Sequence, residues 1–189
     1  MTRGRTSRTT STTTRSDVLL GLGSNADDAP DQILKALRAL HRPPDLTLIS
    51  ISHFYRSEPW GVPVQPFFLN AAARGQTPLS PEDLLARLKG VETDLGRREG
   101  THWGPRLIDL DLLAYASRTL DTPRLTVPHP FFLERSFAFY PAAEIWPDWV
   151  HPLEGRDLRE LARTLVFSTA SIRLESPSPD ALMEALSGS

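Results

Sequence analysis

Trp103-Gly104-Pro105-Arg106-Leu107-Ile108-Asp109-Leu110-Asp111 reads as a rigid basic turn feeding a strand that carries two carboxylates on one face. Successive side chains of a strand point to opposite faces. Ile108, Leu110, Leu112 and Ala114 therefore make an apolar face, and Asp109 and Asp111 share the other with Leu107 and Leu113. Two acids side by side repel unless a cation sits between them, which is the local chemistry of a Mg²⁺ site serving phosphates. A bare Asp-x-Asp is more often a pair of solvated acids. An apolar strand placed directly behind a Trp-Gly-Pro-Arg turn favours the metal.

The strands and helices around this segment set its place in the chain. Asp17–Leu22 reads as a short buried strand ending in Gly21-Leu22-Gly23-Ser24-Asn25. A helix is expected over about 29–41, with Ile33, Leu34, Leu37 and Leu40 at helical spacing. A β-rich run follows over 46–58, then a Pro-punctuated loop to Pro66 and a strand over about 67–75. Ser80-Pro81-Glu82-Asp83 is a helix start, with an N-cap, Pro in the first turn and acids on the positive end of the dipole. Leu84, Leu85, Leu88, Val91 and Leu95 continue that helix, and Gly96 can end it. The Asp-bearing strand comes next, then a hairpin near 116–119. This order is β-α-β-β-α-β, which predicts an α+β fold. Its core is a ferredoxin-like split βαβ, an antiparallel sheet with helices packed on it. A helical segment near 131–146 and a helix around 156–166 add a C-terminal helical extension. The Ser/Pro stretch 176–179 and the Ala/Leu tail look peripheral.

Composition bounds the function. The chain has 189 residues, 40% hydrophobic and 23% charged, with no Cys, which rules out disulfides and thiolate chemistry. A net charge of −2 gives no case for nucleic acid, and no apolar run is long enough to span a membrane. Residues 1–16 hold four Arg and no acid, leaving 17 basic against 23 acidic residues in the remainder. This Ser/Thr/Arg-rich start reads as a disordered tail. It has the composition of a transit peptide but not the apolar stripe, so a cytoplasmic protein is expected.

Other residues could carry chemistry. Arg97, Arg98 and Arg106 with Trp103 crowd a helix-to-strand loop, and Arg forks match phosphate oxygens. His129 stands between two Pro residues, after Arg124 and Thr126. It could be a ligand, a base, a phosphate donor or simply a structural residue. Phe68 and Asn70 would share one strand face, an aromatic ring beside an amide. Gly21-x-Gly23 lacks the third Gly of a dinucleotide turn, and there is no Walker A sequence.

Seven blocks in order carry a resemblance: Gly-Leu-Gly-Ser-Asn (21–25), Phe-Tyr-Arg-Ser (54–57), Phe-Leu-Asn-Ala (68–71), Leu-Gly-Arg-Arg (95–98), the Trp-to-Asp block (103–111), Arg-Leu-Thr-Val-Pro-His-Pro (124–130) and Glu-Arg-Ser-Phe (134–137). Together they resemble the 6-hydroxymethyl-7,8-dihydropterin pyrophosphokinase family of folate biosynthesis, from about Val18 to Leu165. The resemblance implies transfer of the terminal pyrophosphate of ATP to the pterin hydroxymethyl group, leaving AMP. It implies a pyrophosphokinase domain over 17–168, followed by a tail over 169–189. Asp109 and Asp111 would ligate two Mg²⁺ ions, and Arg97 and Arg106 would neutralise the transferred group. Lys89, Glu92, Arg98, Arg106, Leu112, Arg124, Thr126, His129 and Arg135 would bind ATP, Leu112 through its backbone. Ser57, Glu58, Trp60, Phe68, Asn70, Trp103 and Phe137 would hold the pterin, with Phe68 and Phe137 sandwiching it. A monomer acting on ATP and the pterin, without nucleic acid or membrane, is expected. The chain departs from the family pattern in a loop one residue shorter before Trp103. Lys89 also replaces a Gln, Glu58 a Pro and Phe68 a Tyr. Metabolite-binding modules and Asp-x-Asp sugar transferases are the rival readings. The first needs no paired acids, and the second needs a larger sheet.

Overall fold

The computed structural model describes residues 14–59, 66–97 and 107–187. Its elements run β1 (Ser16–Ser24), α1 (Ala29–Leu40), β2 (Thr47–Ile51), β3 (Phe54–Ser57), β4 (Phe68–Thr77), α2 (Pro81–Asp94), β5 (Asp109–Tyr115), β6 (Leu120–Asp121), β7 (Thr126–Val127), α3 (Ser136–Ile145), β8 (Val150–His151), β9 (Arg156–Asp157), α4 (Leu158–Ala162), β10 (Ser171–Leu174) and α5 (Pro179–Ser187). The main sheet is antiparallel, ordered β10-β3-β4-β1-β5 with β2 also on β4. The first half of the chain thus has the expected split βαβ order, with β1 and β4 central.

Each face of the sheet buries its own core. On one face, Val18, Leu20 and Leu22 of β1 and Leu110 and Leu112 of β5 meet Ile33 and Leu37 of α1 and Leu84 and Leu88 of α2. On the other, Leu19, Ala72, Leu113 and Ala114 meet Phe132, Phe139, Trp149, Leu158 and Leu161. α2 starts as expected: Ser80 Oγ accepts from the Asp83 N–H at 3.1 Å and donates to the Asp83 carboxylate at 2.7 Å. It ends at Gly96, whose φ of +99° lets the Arg97 N–H reach the Glu92 carbonyl at 2.9 Å and the Gly96 N–H reach Thr93 at 3.0 Å. That is a Schellman closure, and it folds Arg97 back over the helix.

The structure corrects five expectations. β1 runs through Gly21 and Gly23 to Ser24, so these glycines lie in a strand and not in a turn. Ala114 leaves the apolar face of β5, because Leu113 is an extra residue between the pairs Leu19–Ala114 and Leu20–Leu112. This bulge sends Leu113 and Ala114 to the second core and returns Tyr115 to the first. Residues 116–117 form a turn that pairs no strands, and the hairpin is the next pair, β6–β7. Nor is the C-terminal segment peripheral. β10 completes the sheet beside β3, and Leu182 and Leu186 of α5 enter the first core against α1 and β2. The predicted helices over 131–146 and 156–166 shorten to α3 and α4.

His151 lies within the second core, 5% exposed, stacked on Phe132 at 6.3 Å and edge-on to Trp149 at 5.5 Å. Its Nδ1 has no hydrogen-bond partner among the described residues, and burial lowers its pKa against a smaller opposing pull from Glu154. A folded-state pKa below the unfolded value, about 6.5, means that the unfolded chain binds the proton more readily. Stability is therefore full above about pH 6.5 and falls as pH drops through that value towards the folded pKa. Thermal melts between pH 8 and 5 should show this loss in the wild type and a flatter profile in His151→Phe. Equal slopes would remove His151 from the account.

Candidate active site

The sheet register builds the floor of the site. Tyr55, Asn70, Gly23 and Asp109 stand in one row across β3, β4, β1 and β5, and Ala72, Gly21 and Asp111 in a row beside it. A Cβ on Gly23 would lie 3.2 Å from Asn70 Oδ1, and one on Gly21 3.3 Å from Leu113 Cδ1. Bare backbone at both positions leaves a cavity of about 330 Å³ between Asn70 on one side and Asp109 and Asp111 on the other. Ser57, Glu58, Phe68 and Phe137 line it with them, and so do His129 and Arg135. The Asn70 NH₂ group donates to Ser57 Oγ at 3.0 Å and to the Tyr55 carbonyl at 3.2 Å. Its Oδ1 therefore stays on the Gly23 side as an acceptor.

His129 is fixed by its backbone. Its N–H donates to the carbonyl of Leu113, the bulge residue, at 2.9 Å, and its Nδ1 accepts the Phe131 N–H at 3.2 Å. The ring proton accordingly sits on Nε2. Burial lowers the His129 pKa, Asp111 opposes that shift, and Arg135 and Lys89 add to it. A neutral Nε2–H donor beside Asp111 and Arg135 suits a phosphate oxygen.

A second cluster grips the free edge of β5. Glu92, on α2 and buried, accepts the Leu110 N–H at 2.7 Å, Lys89 Nζ at 2.8 Å and Arg97 Nη1 at 2.8 Å. Lys89 also donates to the Leu110 carbonyl at 2.9 Å. The two side chains thus satisfy Leu110 as a neighbouring strand would. Arg97 also bonds Asp109. Burial works against the Arg97 charge, but Asp109 and Glu92 outweigh it and raise its pKa.

The chain matches the model of the family "7,8-dihydro-6-hydroxymethylpterin-pyrophosphokinase (HPPK)" over residues 19–147. It is 43% identical to the 2-amino-4-hydroxy-6-hydroxymethyldihydropteridine pyrophosphokinase of Aquifex aeolicus over 76% of this chain and 88% of that one. The chain belongs to the HPPK family. The enzyme of the same name from Pseudomonas aeruginosa is 42% identical over 79% of this chain and 92% of its own. A crystal structure of Plasmodium falciparum HPPK-DHPS shares the fold at a TM-score of 0.67 and 12% identity, covering 82% of this chain and 46% of that one. Among the described residues no helix is long and apolar enough to cross a membrane.

Of the HPPK-type residues expected from sequence, Ser57, Glu58, Phe68, Asn70, Asp109, Asp111, His129, Arg135 and Phe137 share the cavity. Lys89, Glu92 and Arg97 stand at the β5 edge, joined to the site through Asp109. The Leu112 side chain lies in the first core, while antiparallel alternation turns its N–H and C=O to the same free edge as those of Leu110. Arg124 is exposed at the β6–β7 turn, and Thr126 bonds Asp121 at 3.1 Å. Neither lines the cavity. Trp60, Arg98, Trp103 and Arg106 lie outside the described residues.

Sequence reasoning missed the roles of Leu113, which roofs Gly21 and anchors His129, and of Gly23, which makes room for Asn70. The Gly-x-Gly spacing was the available signal, since a glycine inside a strand marks close approach of another group. Among the described residues no three His, Cys, Asp or Glu side chains stand close enough to hold a metal. Two carboxylates with phosphate oxygens are a normal Mg²⁺ donor set, so Asp109 and Asp111 fit that ion.

Glu92→Gln keeps the shape and removes the charge that Lys89 and Arg97 share. Both partners are partly exposed, which limits the cost to about 1–3 kcal/mol in urea unfolding. A loss under about 0.5 kcal/mol would mean that Glu92 does not anchor β5.

Proposed function

We propose that this cavity is where ATP gives its terminal pyrophosphate to 6-hydroxymethyl-7,8-dihydropterin, the diphosphokinase step of folate biosynthesis. The observation that carries this reading is the meeting, over one glycine floor, of an aromatic-and-amide end with an acid-and-base end. Phe68 and Phe137 offer ring faces to a flat heterocycle, and Asn70 Oδ1 an acceptor to its amino edge. Ser57 and Glu58 complete that end, and Trp60 is assigned to the same ligand. The hydroxymethyl oxygen attacks the β-phosphorus in line, the bond from that phosphorus to the α-phosphate oxygen breaks, and AMP leaves.

The phosphate end is assigned to Asp109, Asp111, His129 and Arg135, with Arg97 and Arg106 neutralising charge on the transferred group. Asp109 and Asp111 would hold two Mg²⁺ ions, which when bound would supply charge neutralisation to the phosphates. His129 donates Nε2–H and Arg135 its fork to phosphate oxygens. The free-edge N–H and C=O of Leu112 suit the adenine edge, and Arg124 and Thr126 the ribose region. Lys89 and Glu92 act by holding Leu110, one step from those groups. Arg98 is assigned to ATP and Trp103 to the pterin on the family resemblance. The protein is proposed to act as a monomer in the cytoplasm.

The test is AMP release from ATP and Mg²⁺, with and without the pterin. Asp111→Ala should lower pterin-dependent AMP release by ~10³-fold or more, as loss of a phosphate-transfer group does. ADP as the product, or an unaffected variant, would sink the assignment. Gly23→Ala, whose Cβ would press on Asn70, should weaken pterin binding by roughly tenfold, ~1.4 kcal/mol, and leave nucleotide affinity alone. Equal loss of both ligands would mean that Gly23 serves the fold instead of the amide.

A further inference from the structure

Phe131 falls between the two sequence blocks, 124–130 and 134–137, that supply His129 and Arg135. It is a large apolar side chain left 42% exposed. The Arg135 guanidinium carbon stands 4.8 Å from its ring centroid and 5.9 Å from that of Phe137. The Phe131 ring is also tilted against that of His129 at 6.1 Å. Arg135 therefore stands near two rings, one lining the cavity and one outside its lining. A cation over a ring face is held by the ring quadrupole, and an Arg with its rotamers restricted reaches a phosphate at less entropic cost.

We propose that Phe131 is a positioning residue for the nucleotide, acting through Arg135. It holds the guanidinium aimed into the cavity. This rests on the reading of Arg135 as a phosphate contact. Phe131→Leu removes the ring face and keeps the apolar bulk, and Phe131→Tyr keeps the ring.

The experiment measures binding of α,β-methylene-ATP with Mg²⁺ to the full chain by calorimetry, alongside thermal melts. Phe131→Leu should weaken binding about two- to fivefold with an unchanged Tm, and Phe131→Tyr should retain wild-type affinity. In an Arg135→Ala background the Leu exchange should add nothing, since the two act as one unit. Phe131→Leu without effect while Arg135→Ala weakens binding would overturn the proposal. So would an equal loss in both backgrounds, or a lowered Tm, either of which makes the ring a direct contact or a structural one. An Arg135→Ala variant that binds like wild type would overturn the phosphate assignment itself, a result separable from the others, and the proposal with it.

Discussion

Gly21 and Gly23 leave no side chain between Asn70 and Ala72 on β4 and Asp109 and Asp111 on β5. Strands in a sheet are spaced by their hydrogen bonds at about 4.8 Å, so two strands flanking a third bring their side chains within reach of one small ligand only if the middle strand is bare. β1 is that middle strand. Any larger residue at Gly23 would meet the Asn70 amide, and at Gly21 the Leu113 side chain. The width of the cavity is thus a property of backbone pairing, which is among the stiffest features of the fold.

Closely set carboxylates on such a floor need countercharge, and the chain supplies it from the opposite direction. Arg97 reaches Asp109 because Gly96 turns the end of α2 back on itself. Arg97 in turn is held by Glu92, whose carboxylate also takes the Leu110 N–H. The same buried acid therefore secures the backbone between the two aspartates and the cation beside one of them. A desolvated carboxylate is tolerable here because three donors satisfy it.

Regular periodicity made most of the sheet and its helices legible. Alternation marked β5, the stripe of Ile33, Leu37 and Leu40 marked α1, and Ser80-Pro81 marked the start of α2. What escaped depended on pairing between distant segments. The bulge at Leu113 is invisible in the run Asp-Leu-Asp-Leu-Leu-Ala-Tyr, because it is defined by which residues β1 leaves unpaired. Gly21 and Gly23 suggested a turn because local propensity says so, whereas the strand persists through them to face Asn70 and Asp109. β10 went unread and the α5 segment looked peripheral because short segments carry little periodic signal, and their places come from surfaces supplied by β3, α1 and β2. The gathering of nine expected site residues into one cavity was legible as a set, through the seven blocks, but not as a geometry.

The two ends of the cavity are supported differently, and this follows from the bulge. Phe68, Asn70, Ser57 and both aspartates stand on strands of the central sheet. His129 and Arg135 come from the connection between β7 and α3, which belongs to no sheet. That connection is tied down at the Leu113 carbonyl and at Phe132, whose ring packs with Phe139, Trp149 and His151 in the second core. Leu113 belongs to that same core while lying over Gly21. His129 and Arg135 thus depend on the packing of the second core. The amide and the acids stand on the central sheet, Asn70 further fixed by Ser57 and the Tyr55 carbonyl and the strand of the acids by Glu92.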